Sequence, residues 1–284
     1  MEITTMSKRN SQAAKTAARE RLRVERERQA KRDKVKRQAK RDKVKRQGMV
    51  AGSLVAVLAV AGGIGYFVVQ NNKPGYWEAA KNDKLVKPAN TTGTNGTTVV
   101  FGKADAKKTL ELYEDSRCPV CAQFEQTVGS TVDKAIADGT YKVQYIGATF
   151  IDNSDQGEGS KNALSALGAA LNVSPEAFLE YKTALYSTKW HPDETDDKFK
   201  SDDYLIKVAN TVDALKNNKA FQKAVTGGTY DKWALVMSQK FDKSGVTGTP
   251  TLKMDGKKLT GSDGQNAPMS VAEYTTAIDK ALKA

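Results

Sequence analysis

The hydrophobic pattern of the chain changes period several times, and each change marks an element. Met49 to Val69 is an unbroken run of 21 residues without a charged or amide side chain. At about 1.5 Å per helical residue it is as long as a bilayer core is thick, roughly 30 Å, so it predicts a membrane-spanning helix. Thr97 to Phe101 and Lys108 to Glu114 are short β-rich runs separated by a turn around Gly102. From Cys118 the period lengthens: Phe124, Val128, Val132 and Ile136 recur every four residues, with Gly139 placed to stop a helix. Tyr141 to Phe150 reads as a strand again, giving β-β-α-β, a crossover that implies a parallel strand pair.

Residues 157 to 241 read almost entirely as helix. Leu164, Leu167 and Leu171 form one apolar stripe. Ser174-Pro175 caps a helix carrying Phe178, Tyr181 and Leu185; Leu205, Val208, Val212 and Leu215 form the next stripe, and Trp233, Val236, Met237 and Phe241 the last. After Gly245 the strand pattern returns through Thr249 to Thr260, folded at Asp255-Gly256 as a hairpin, and Ser270 to Ala284 closes as an amphipathic helix. The order β-β-α-β, helical block, β-β-α predicts one αβα domain with a helical insertion at about 157–241.

Charge divides the chain further. The net charge is +12, and residues 1–47 hold 18 Lys or Arg against 6 Asp or Glu, so the whole excess sits in this tail. Residues 30–38 and 39–47 are the same nine residues, AKRDKVKRQ. A segment this charged, with no aromatic before Tyr66, cannot bury enough apolar surface to fold alone. The positive-inside rule keeps it in the cytoplasm and puts the residues after Val69 outside, with the tail against anionic lipid. Without stacking aromatics it does not read as a nucleic-acid binder. The expected organisation is a tail at 1–47, an anchor at 48–69, a linker at 70–96 and a folded domain at 97–284.

The chemistry is concentrated at Cys118-Pro119-Val120-Cys121, which contains the only two cysteines in the chain. Cys118 falls where a strand gives way to a helix, and Cys121 comes one turn later on the same face. Pro119 suits the first helical position, and free N–H groups at the helix start favour a thiolate at Cys118. Arg117, adjacent in sequence, is expected to lower the Cys118 pKa further, and Cys121, deeper in the helix, to act as the resolving thiol. A structural disulfide closing so short a loop would constrain little of the unfolded chain. A zinc site normally takes four Cys or His ligands, and the chain has two Cys and one His, with carboxylates the only supplement, so no metal is expected. His191 reads as a surface or capping residue at a helix break, and Asp193 to Asp203 as a solvated acidic face.

YEDSRCPVC at a strand-to-helix junction, a helical insertion in mid-sheet and Gly248-Thr249-Pro250 before the late hairpin together resemble the DsbA-like branch of the thioredoxin superfamily, of the thioredoxin-like 4 type, in its membrane-anchored bacterial form. The resemblance implies a thiol-disulfide oxidoreductase using the Cys118/Cys121 pair without a further cofactor. It also implies a cis Pro250 beside the cysteines and a Thr249 backbone that pairs with substrate peptide. The expected activity is oxidation of exported thiol proteins at the bacterial cell membrane, with re-oxidation by a quinone-linked membrane partner. A reductase or isomerase of the same fold, or a non-enzymatic tethered binding module, are the alternatives. Two positions depart from the family: Val120 stands where many relatives have His, and Leu112 where many have a buried carboxylate. Glu111 and Glu114 are the acidic residues near that position, Glu114 being the candidate modulator.

Overall fold

The computed structural model describes residues 75–284. The predicted tail, membrane helix and first residues of the linker lie outside the described residues. Among the described residues no helix is long and apolar enough to cross a membrane.

The described chain opens with α1 (Tyr76–Ala80) and runs through β1 (Val99–Phe101) and β2 (Thr109–Asp115). A long helix comes next in three parts: α2 (Pro119–Phe124), a π-helical turn (Glu125–Gly129) and α3 (Ser130–Asp138). Beyond it are β3 (Lys142–Ala148), α4 (Ile151–Asp155), α5 (Gly159–Val173) and α6 (Pro175–Tyr186). A 3-10 turn (Lys198–Lys200) leads to α7 (Asp202–Ala209), α8 (Lys219–Thr226) and α9 (Asp231–Asp242). The hairpin β4 (Thr251–Met254) and β5 (Lys257–Leu259) precedes α10 (Val271–Lys283). The strands form one sheet in the order β1-β3-β2-β4-β5, with β2 and β3 parallel and the other pairs antiparallel. This is the thioredoxin-like α/β fold with a helical insertion.

Strand alternation decides which residues reach the chemistry. Leu110, Leu112 and Glu114 share one face of β2, and through the register Leu112↔Tyr145 that face continues onto Val143 and Tyr145 of β3. On it lies α6, whose Phe178 ring sits 5.0 Å from both Tyr145 and Phe101. Tyr113 faces the other way and meets Phe241 of α9 at 6.2 Å. β2 is central and buried on both faces at its C-terminal end, which is the end that carries Cys118.

The four-residue apolar spacing after Cys118 has its explanation in the π turn. On a regular α-helix each four-residue step overshoots a turn by about 40°, so three steps would rotate Ile136 well away from Phe124. The extra residue taken up in the π turn offsets about 100° of that drift, and Phe124, Val128, Val132 and Ile136 are all buried. Gly139 closes α3 in the left-handed region at φ +79°, where an L side chain is disfavoured. Asp255 and Gly256, both at positive φ, make the hairpin turn type that matches strand twist.

Three expectations are corrected. Residues 75–96 do not form a free linker: Trp77 is buried, Asn90 Nδ2 donates to Leu171 O at 2.8 Å, and Trp233 Nε1 donates to Gly96 O at 2.7 Å. The stretch is strapped to the helical insertion and belongs to the compact unit Pro74–Ala284. The stripe Leu205 to Leu215 is not one helix, because α7 stops at Ala209 and Val212 and Leu215 enter the core from turns before a separate α8. Finally, β3 ends at Ala148 and the chain turns into α4 before the expected start of the insertion.

Candidate active site

Cys118 is the N-cap of α2, with extended backbone angles, and its Sγ accepts from Cys121 N at 3.4 Å. Pro119 occupies the first turn, where its missing N–H costs nothing. Val120 is 45% exposed beside Cys118, whereas Cys121 is fully buried. Both cysteines are free thiols. Cys118 Sγ also lies 3.4 Å from Thr249 O, and the Thr249–Pro250 peptide bond is cis. The sheet thus brings together two segments 131 residues apart in sequence.

The surroundings separate the two thiols electrostatically. The Cys121 thiol leads in stabilising a Cys118 thiolate; the Thr249 hydroxyl and the N–H groups of Cys121 and Val120 add to it. Against the opposing effect of burial, they bring the Cys118 pKa down to about 6. Burial first, and the neighbouring Cys118 second, push Cys121 well above the ordinary thiol value. Thr249 Oγ1 is buried and makes no hydrogen bond of good geometry.

Beneath the pair lies a buried charged group that connects three elements. Glu114 of β2 is fully buried, and Lys182 Nζ of α6 lies 3.6 Å from its Oε2. Lys182 also bonds Glu125 of the π turn, whose other oxygen accepts from Thr183 Oγ1 at 2.5 Å. Burial raises the Glu114 pKa to about 7 despite Lys182, since neither of its oxygens has a close hydrogen bond. Burial works against the Lys182 charge, but Glu114 and Glu125 outweigh it and hold its pKa above the ordinary lysine range. Glu114 in turn raises the pKa of Cys121, and Cys118 raises that of Glu114.

The structure therefore places Cys118, Pro119, Val120, Cys121, Glu114, Thr249 and Pro250 in one neighbourhood, and it removes Arg117 from it. Arg117 is 1% exposed and points away, its Nη1 3.0 Å from Asp152 Oδ1 and 3.3 Å from Asp197 Oδ1, with Asp155 and the Glu194 carbonyl also bonded. Its charge is matched there, so the expected cation beside Cys118 is corrected to a structural ion cluster. The same contacts correct the solvated reading of the acidic stretch at Asp197 alone, which also accepts from Glu158 N and Gly159 N at the head of α5, whereas Asp193, Glu194, Asp196 and Asp203 are exposed. His191 is half-buried rather than free at the surface: its Nε2 lies 3.2 Å from Ser116 O and its ring stacks on Tyr186 at 5.8 Å. Burial lowers its pKa.

Lys182 and Glu125 were not expected at the site, yet periodicity carried them. Lys182 stands four residues after Phe178 and three before Leu185, and Glu125 four after Cys121 and three before Val128. For His191 no periodic signal exists. Among the described residues no three or more His, Cys, Asp or Glu side chains are grouped to hold a metal ion.

A family model described as Thioredoxin matches residues 94–280. Among solved structures, oxidised DsbA of Mycobacterium tuberculosis superimposes with a TM-score of 0.53 at 22% identity, covering 71% of this chain and 94% of that one. Oxidised BdbD of Bacillus subtilis gives 0.52 at 20% identity, covering 70% and 100%. Among curated proteins, the serine/threonine-protein kinase PknE of Mycobacterium tuberculosis is 28% identical over 120 residues, 41% of this chain. The match spans 21% of the length of that kinase.

Proposed function

The chain belongs to the thioredoxin family, and from that premise we propose that it is a thiol-disulfide oxidoreductase working through Cys118 and Cys121. The observation that carries this reading is the division of labour between the two sulfurs: one at a helix start with its pKa near 6, the other buried and held protonated. In the proposed direction the enzyme starts as the Cys118–Cys121 disulfide. A substrate thiolate attacks Cys118 Sγ, the enzyme disulfide breaks, and Cys121 leaves and takes up a proton. A second substrate thiolate then attacks the substrate sulfur of the mixed disulfide. Cys118 leaves as the thiolate that its hydrogen bonds favour, and the substrate carries away the disulfide. The two electrons left on the dithiol pass to a re-oxidising partner, for which a quinone-linked membrane oxidase is the class implied by the resemblance. Glu114 is positioned to exchange a proton with the Cys121 region, and the Thr249 backbone to hold extended substrate. Val120, exposed at the rim, is proposed to contact it.

The proposed setting is the outer face of a bacterial membrane. Residues 48–69 would serve as anchor and the basic 1–47 tail would lie against anionic lipid inside, with the substrates being exported proteins that carry thiols. The test is oxidation of a reduced, unfolded substrate by the purified full chain. Cys118→Ser should abolish it, and Cys121→Ala should accumulate mixed disulfides on non-reducing gels. Full activity in Cys118→Ser would end the proposal. A reductase or isomerase remains a second reading, because a Cys118 pKa near 6 is a moderate value for such motifs; a potential near that of thioredoxin, about −270 mV, would favour it.

A further inference from the structure

The Thr249–Pro250 segment is the common wall of two cavities of opposite charge. The larger, about 500 Å³, is bounded on its far side by Val120 and Gln123 of α2 and carries Asp263 and Glu273, with no Lys or Arg in its lining. The smaller, about 260 Å³, opens beside Gly248 and carries Lys253 and Lys258, with no Asp or Glu in its lining. Both are walled by Thr249, Pro250, Asn266 and Ala267. Cys118 Sγ lies against this wall, 3.4 Å from Thr249 O, so whatever reacts there is next to the segment that both cavities share.

The charged groups are fixed in place. Asp263 accepts from Gln265 N at 2.8 Å and Asn266 N at 2.9 Å, and Glu273 accepts from Ser262 N at 3.1 Å. These bonds lower both carboxyl pKa values, so both are ionised at neutral pH. Lys258 Nζ is held by Gln265 O at 2.7 Å, and Lys253 Nζ sits 5.3 Å over the Tyr113 ring. Groups fixed before binding lose little freedom when a charged partner arrives.

In an extended peptide, side chains two positions apart face the same way, about 6.7 Å from each other. A peptide whose cysteine faces Cys118 therefore turns the residues two before and two after it toward the protein. We propose that the two cavities read these residues, the larger taking a lysine or arginine and the smaller an aspartate or glutamate. The preferred substrate site is then a cysteine flanked by opposite charges in one fixed order. This rests on the oxidoreductase reading above.

The test uses the oxidised full chain and four pentapeptides with a central cysteine. Their end residues are lysine and glutamate, glutamate and lysine, two lysines, or two glutamates. The reaction is thiol attack on the Cys118–Cys121 disulfide, read by acid quench and mass spectrometry, with dithiothreitol as a charge-free control. One of the mixed-charge peptides should react about fivefold faster than its reverse, with the two like-charged peptides falling between them, as two partly exposed ion pairs allow. The preference should shrink below twofold in 0.5 M salt. It should shrink likewise in the paired variants Asp263→Asn with Glu273→Gln and Lys253→Gln with Lys258→Gln, shown to be folded by thermal melts. Equal rates for all four peptides with normal reduction by dithiothreitol, or a preference that survives in the variants, would overturn the inference and leave the oxidoreductase standing. Failure of dithiothreitol to reduce the pair would remove both.

Discussion

Protonating Cys118 should change the redox balance of the pair by an amount the site geometry fixes. The thiol is lowered from 9.0 to about 6 in the fold, so the thiolate stabilises the reduced protein. The sign comes from linkage: a group with a depressed native pKa contributes fully above its unfolded value and loses that contribution as pH falls through the native one. Above pH 9 the full three-unit shift is worth about 4 kcal/mol to the reduced fold. At pH 7 the unfolded thiol is still protonated, and only the roughly tenfold excess of thiolate in the fold counts, about 1.4 kcal/mol. For a two-electron couple that is about 30 mV toward a more oxidising pair. Titrating the reduced protein by thiolate absorbance at 240 nm should give a midpoint near 6. Equilibration with glutathione at several pH values should give a potential that falls by about 30 mV per pH unit above the midpoint and about 59 mV below it. A midpoint above 8, or no change of slope between pH 5 and pH 7, would refute the account of the hydrogen bonds from Cys121 and Thr249.

Other perturbations report on the frame of the site. Lys182→Met strands Glu114 and Glu125 in the interior and should cost about 3–5 kcal/mol, lowering Tm by about 10 °C; a calorimetric change under 1 kcal/mol would show that the group does not act as a buried ion cluster. Arg117→Ala should destabilise by a similar amount through Asp152, Asp155 and Asp197. It should leave the Cys118 midpoint within about half a unit, and a rise of a full unit, seen in the same absorbance titration, would restore Arg117 to the site. Gly139→Ala places a side chain at φ +79° and should cost about 1 kcal/mol in a denaturant melt without altering the thiolate titration.

Strand and helix periodicity made the fold legible because the thioredoxin-like core is built from elements that each bury one defined face. Leu110 and Leu112 announce β2, and the same alternation places Glu114 under the cysteines, although Leu112 occupies the position at which a buried carboxylate was sought. Arg117 shows the limit of adjacency. Neighbours along a chain at a strand end diverge in space, and three carboxylates that are 35 to 80 residues distant claim its guanidinium instead. The strap at residues 75–96 was illegible for a different reason. Its composition is that of a linker, and what holds it is a set of hydrogen bonds from Trp233, Asn90 and Lys232 to single carbonyl groups, which leave no periodic trace. His191 reaches Ser116 from a helix break by the same kind of isolated contact.

The energies at the site bear on the direction of electron flow. The interval between a thioredoxin-like potential of about −270 mV and a strongly oxidising one of about −120 mV corresponds to roughly 7 kcal/mol. The Cys118 thiolate supplies about 1.4 kcal/mol of this at pH 7. No imidazole stands at Val120 to add to it, and Arg117 is engaged elsewhere. Glu114 acts in the opposite sense, since any negative charge it carries near Cys118 disfavours the thiolate, and Lys182 offsets that charge only in part. These contributions favour the proposed oxidase direction by only about 30 mV, far short of the oxidising extreme. A pair of intermediate potential transfers its disulfide outward only while something removes electrons from the dithiol faster than the surroundings supply them. The oxidase reading thus depends on the re-oxidising partner and the compartment as much as on the four residues Cys118 to Cys121, which is why the proposed setting outside the membrane is part of the mechanism.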